Sequence, residues 1–317
     1  MASASPIPTP PSLRFAGPGM AGLFSLLVFA SLILLPFIGV FLALLAPLPL
    51  VHVVATGRPS FLAWGWVAVG LVGAVLVWHQ TWMVAAATGY LLVAVWPTVS
   101  IETWLRRQWT TGRWAAVVAL VALAISAGVM IAVFYPAAPA EALGDIFTRN
   151  SGTNDLVRKL GEASGGEELM AQAIRLVAYL APSAVALYVL WVVFWLRPRL
   201  PLLGLPRGSE SIAQYASEEW LPVAFAGGGL GWVFAPEPAK WLAANLLVAV
   251  LGLYFVHGLA IIFFHLGRRF GENRWVRLGV VVFALQVPVA LVVSALGLTD
   301  SFFRLRRGGA DDGGLEA

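Results

Sequence analysis

The chain has 317 residues, of which 60% are apolar and only 11% charged, with a mean hydropathy of +0.84. A soluble domain carries roughly a quarter of its residues as charges, so water is excluded as the solvent for most of this chain and lipid takes its place. The formal charge of +4 and the pI near 9.8 come from basic residues scattered singly or in pairs between apolar runs, the pattern of membrane loops and not of a nucleic-acid-binding stripe.

Residues 1–19 are rich in Pro and Ser and read as a disordered tail entering a retained first span, not as a cleaved signal peptide. Gly17, Gly19 and Gly22 spell GxGxxG, but they follow a proline-rich tail where a nucleotide fold needs a strand, so no dinucleotide site is expected. Apolar runs of membrane-span length then fall at about 20–35, 37–54, 61–78, 83–98, 114–135, 171–196, 221–235, 241–266 and 278–297. Pro36 separates the first two, predicting either a tight hairpin or one kinked helix. The expected fold is an all-α polytopic membrane bundle of 8–9 transmembrane helices, a single domain over 20–298 with a polar tail over 299–317. Trp78, Trp96, Trp114, Trp195, Trp220 and Trp241 mark ends of these runs, where an indole keeps its ring in lipid and its N–H near water.

Half of the basic residues sit in three loops: Arg106, Arg107 and Arg113; Arg197, Arg199 and Arg207; Arg268, Arg269, Arg274 and Arg277. If 221–235 crosses the bilayer, all three loops fall on one side, assigned as cytoplasmic. The connector 136–170 then lies outside, with net charge −3, and its Ile146/Phe147 and Leu156/Leu160 spacings predict two short amphipathic helices on the membrane surface.

The chain has no cysteine and lacks GxxxxGK[ST], HExxH and GxSxG, so no catalytic residues, metal site or cofactor are expected. No carboxylate is placed at membrane depth. The polar residues there are His52, Ser126, Ser183, Asn245, His257, Gln286 and Ser294. Gly227, Gly228, Gly229 and Gly231 fall mid-span in 221–235, where glycine weakens a helix by about 1 kcal/mol each. Two readings follow, a broken span lining a cavity or tight packing through small residues. In 241–266, Asn245 and Gly252 share a face suited to helix–helix packing, whereas His257 lies about 120° away on a stripe with Leu253, Ile261 and Phe264. The candidate solute pocket is therefore Gly227, Gly228, Gly229, Gly231, Trp232, Asn245 and His257.

The order NLLVAVLGLYFVHGLAIIFFHLGRR, a final span and LGLTDSFFRLRR, with the early PFIGVFLALLAPLPLV, resembles the YybS-like family of bacterial inner-membrane proteins. Through that family it is distantly similar to the substrate-binding S components of energy-coupling-factor transporters. The resemblance implies a compact helical protein with an outward-facing small-molecule pocket. S components dock their coupling subunit through a small-xxx-small-xxx-small stripe on the first helix; Ala21 and Ser25 match it and Phe29 departs.

The function expected is that of a multi-pass protein of the bacterial inner membrane, of transporter type and without enzymatic activity. Its partners would be the bilayer, a small solute and a membrane partner subunit, but no nucleic acid. The alternative is a membrane scaffold that recruits partner proteins.

Overall fold

The computed structural model describes residues 17–56, 81–134, 167–205, 213, 215–270 and 273–303. The expected span at 61–78, almost all of the 136–170 connector and both chain ends lie outside them. The described residues form helices and short connections, and the chain divides into two compact units, 1–108 with 191–209 and 109–190 with 210–317.

In the first unit, prolines start the helices where a missing N–H costs nothing: α1 is Pro18–Leu34, α2 Pro36–Ala43 and α3 Pro47–Ala55. The break at Leu35 turns α2 back so sharply that a Cβ on Gly39 would collide with the Leu32 and Ser31 backbone. Of the two readings of Pro36, the structure takes the hairpin. Helix α4 (Thr81–Tyr90) passes through a π-helical turn, Leu91–Val95, into α5 (Trp96–Arg107). Arg106 and Arg107 occupy the last turn of α5, where cations oppose the negative end of the helix dipole, and Gln108 closes it in the left-handed conformation. The Ala21–Ser25–Phe29 stripe of α1 is buried inside this unit. The Ser25 hydroxyl donates to the Ala46 carbonyl at 2.7 Å and lies 3.1 Å from the Tyr90 hydroxyl, and Phe29 meets Tyr90 edge-on. A docking partner would find that stripe occupied by the protein's own residues.

In the second unit, α6 is Thr111–Phe134 and α7 Glu167–Tyr179; α8 (Ala181–Leu196) begins here and carries the chain into the first unit. A 3-10 turn, Arg197–Leu203, follows α8, then α9 (Leu221–Phe234), α10 (Ala239–Phe270), α11 (Arg274–Ala284) and α12 (Val287–Phe303). Helix α10 is the axis of this unit, packed by α6, α9 and α12. Leu123, Ala186 and Ala249 form one buried cluster along it, and Leu259, Phe263, Ala284 and Val293 another.

The described residues do not support the expected count of eight or nine spans. Among the described residues four helical stretches are long and apolar enough to cross a membrane: Ile38–Ala55, Thr111–Val133, Ala181–Leu203 and Ala239–Gly267. A fifth arises only if Trp275–Ala284 and Val287–Phe303, bent by 103°, count as one span. Apolar runs overcount because they ignore where the helix stops. The run at 278–297 turns at Leu285–Gln286, just before Pro288, and the run at 221–235 yields a helix of only 14 residues.

Candidate functional site

The glycine-rich segment is a continuous helix, so the broken-span reading is corrected. Tertiary packing replaces what propensity lacks. Gly228 is buried, and its Cα faces the Ala243 carbonyl and the Leu247 backbone, where an added Cβ would sit at 3.4 Å. At Gly231 a Cβ would meet that of Ala243 at 2.8 Å. Gly227 and Gly229 have nothing within 4 Å of that position, and Trp232 is half exposed. Gly228 and Gly231 thus let α9 lie close against α10, and the glycines as a group enclose no cavity.

Asn245 sits at the point where α7 gives way to α8. A continuous helix would bond the Ser183 N–H to the Tyr179 carbonyl, four residues back. Here the Asn245 side chain is spliced between them: its Oδ1 accepts from Ser183 N and its Nδ2 donates to Tyr179 O, both at 3.0 Å. Nδ2 also donates to Trp241 O at 3.0 Å, and the Trp241 indole donates to Tyr179 O at 2.8 Å. The Ser126 hydroxyl reaches the Pro182 carbonyl at 3.4 Å, adding α6 to the joint. Gly252, on the same face of α10, abuts Leu187 and Leu190 of α8. A buried amide with its hydrogen-bonding capacity so used is structural.

His257 is the other buried polar residue of α10, twelve positions and about 18 Å further along. It is 3% exposed, and its Nε2 lies 2.7 Å from Oδ2 of Asp300 on α12, itself 7% exposed. Its Nδ1 accepts the backbone N–H of Ser217 at 3.0 Å. Those two bonds fix the ring chemistry. Nδ1 is an acceptor and carries no hydrogen, so the hydrogen of the neutral imidazole is on Nε2 and points at the carboxylate. The Tyr215 ring meets the imidazole edge-on at 6.1 Å, and the Ser217 and Ser301 hydroxyls lie 3.1 Å apart. The crossing of α10 and α12 just beside this pair is tight. A Cβ on Gly258 would strike the Val293 carbonyl, and one on Gly297 the Tyr254 carbonyl.

Residues 215–220 form a strap across this crossing, irregular up to Glu218 and turning into α9. Beyond the bonds to His257 and Ser301, its Glu218 carboxylate accepts from the Thr110 hydroxyl at 2.8 Å, while Thr110 Oγ1 accepts from Arg113 N at 3.0 Å and caps α6. The Ala216 carbonyl rests against Gly112, where no Cβ would fit. Burial, with the charge of Glu218 adding to it, pushes the Tyr215 hydroxyl well above the usual tyrosine range. On its outer side the strap walls a cleft of about 570 Å³, lined by Thr110, Arg113, Ala216, Ser217, Glu218, Glu219 and Trp220. The Arg113 guanidinium lies over the Trp109 ring at 5.2 Å.

The structure therefore separates the sequence-derived pocket. Asn245 faces α7 and α8, His257 faces α12 and the strap, and Gly228 and Gly231 face α10 itself. None of them lines the cleft, although Ser217 connects it to His257. Sequence reasoning missed Asp300, whose place in Leu296–Arg307 looked like the start of a polar tail. It sits in the last helical turns of α12, so a buried carboxylate does stand among the apolar helices. Its spacing from Gly297, one turn earlier, was the available signal. Among the described residues no group of three His, Cys, Asp or Glu is placed to hold a metal ion.

No curated protein and no solved structure matches the chain significantly. A family model described as "Predicted membrane protein (DUF2232)" matches residues 22–301, a stretch that contains every residue of the strap, the cleft and the His257–Asp300 pair. With most of its length matched, the chain belongs to this family of predicted membrane proteins.

Proposed function

We propose that the protein is a multi-pass transporter-type protein of the bacterial inner membrane that binds a small polar solute in the cleft beneath Trp220 and has no enzymatic activity. One observation carries the reading: Ser217 lines the cleft while its N–H is bonded to the buried His257–Asp300 pair. An ionisable pair among apolar helices is costly and is kept where it serves a pathway or a ligand. The cleft offers a cation, two carboxylates, hydroxyls and an indole, a set suited to a solute bearing both charge signs. The resemblance to transporter S components implies a solute pocket too, but an outward-facing one, whereas this cleft contains Arg113 of a loop assigned as cytoplasmic and the docking stripe is buried in this chain.

The test is a screen of small polar solutes against thermal unfolding of the full-length protein in detergent. A solute at a hundred times its Kd should stabilise the wild type by about 2.7 kcal/mol, and Arg113→Ala should abolish that gain. A solute that stabilises both proteins equally would refute the assignment of the cleft. No stabilising solute at all, with a stoichiometric protein partner co-purifying, would favour the scaffold instead.

A further inference from the structure

We propose that His257 is a proton-binding site that latches the strap: uptake of a proton at Nδ1 breaks the bond to Ser217 and lifts residues 215–220 away from the α10–α12 crossing. Neutral His257 accepts the Ser217 N–H with the Nδ1 lone pair and donates its Nε2 hydrogen to Asp300. The imidazolium has a hydrogen on both nitrogens, so Nδ1–H and the Ser217 N–H would point at one another with no acceptor between them. On the other side the same proton turns a neutral donor into the cation of an ion pair with Asp300. Protonation therefore keeps α10 on α12 and expels the strap. No bond other than Nδ1–H forms, and the proton comes from water reaching the cleft side of Ser217.

The titratable and charged groups around the imidazole fit this division. Asp300 of α12 is the charged partner within hydrogen-bond distance. From the strap, Tyr215 presents its ring, Glu218 is turned to Thr110, and Glu219 lines the cleft. From α6, Arg113 lies over Trp109, and Tyr254 lies one turn back on α10 itself. The strap is suited to leave because its irregular part is held by side-chain bonds to Thr110, His257 and Ser301 and not by a helical ladder. The inference takes its purpose from the solute reading, since the strap is a cleft wall, but its test needs no solute, so the two fail separately.

In the full-length protein in lipid nanodiscs, amide hydrogen exchange of Ala216–Glu219, corrected for the intrinsic pH dependence, is followed from about pH 8 to pH 5. The ring-nitrogen resonances of His257 are recorded alongside. The expected result is an Nε2–H imidazole with a protected strap at the alkaline end, and strap exchange rising about tenfold or more in step with imidazolium formation. Asp300→Asn keeps an acceptor oxygen but loses the counter-charge, so the strap should stay latched to lower pH. Gly112→Ala, which crowds the Ala216 carbonyl, should leave the strap exchanging fast at every pH with the imidazole still titrating. The proposal is overturned by an Nδ1–H tautomer at the alkaline end, by an imidazole that does not titrate in this range, or by strap protection that is unchanged as it titrates.

Discussion

Replacing Asn245 by alanine removes the amide spliced between Ser183 and Tyr179, and the cost follows from which groups are left without a partner. The side chain makes bonds of 3.0 Å to Ser183 N, Tyr179 O and Trp241 O, but they are not equal losses. Tyr179 O keeps the Trp241 indole at 2.8 Å, and Trp241 O keeps its ladder bond within α10. Only the Ser183 N–H is orphaned. A buried donor without a partner costs about 1–3 kcal/mol, whereas side-chain bonds between membrane helices average ~0.6 kcal/mol because the separated helices find other partners. A separated α7–α8 could straighten and recover part of the loss, so about 1.5 kcal/mol of destabilisation is expected. Unfolding of the detergent-solubilised protein by titrated denaturing detergent measures it. Trp241→Phe supplies the control: alone it leaves Tyr179 O with the amide, but together with Asn245→Ala it leaves that carbonyl bare, so the double variant should exceed the sum of the singles by about 1 kcal/mol. A single variant within about 0.5 kcal/mol of wild type, or strict additivity, would refute the splice.

Two further outcomes separate packing from propensity and burial from charge. Gly258→Ala and Gly297→Ala should each destabilise by about 1–3 kcal/mol in the same assay, because the obstructing atoms are backbone carbonyls; Gly227→Ala, with open space at its Cβ, should be stabilising by up to about 1 kcal/mol. Above about pH 10 the unfolded chain ionises its tyrosines while buried Tyr215 stays protonated. The folded state then binds more protons, so stability should fall as pH rises there, and Tyr215→Phe should flatten the fall in alkaline unfolding curves.

The sequence showed the helical class, the membrane and a packing face around Asn245, since each rests on local composition and periodicity, although it also put Asn245 in the candidate pocket. Among the described residues its apolar runs do not all become spans, because apolar length says nothing of where a helix turns: Leu35 folds α2 back on α1, and the chain bends between Ala284 and Val287. It misread the glycines because propensity is a property of the isolated helix, whereas Gly228 is held by α10. His257 stood out, but its partner did not. Asp300 is 43 residues away, and only the crossing of α10 over α12 brings it near. The strap was invisible for the same reason, being defined by three partners distant in sequence.

Helix α9 has 14 residues, about 21 Å of length at ~1.5 Å per residue, beside an α10 of 32 residues. Hydrocarbon about 30 Å thick overshoots the first and falls within the second. Val223, Leu230, Val233 and Phe234 of α9 are largely uncovered by protein, so if α9 crosses the bilayer, the acyl chains that meet them must shorten while those along α10 need not. Each ångström of that mismatch costs a fraction of a kcal/mol. The thickness of the surrounding bilayer would then be part of this protein's conformational energy, and lipids of unequal chain length would have different sides of it on which to settle.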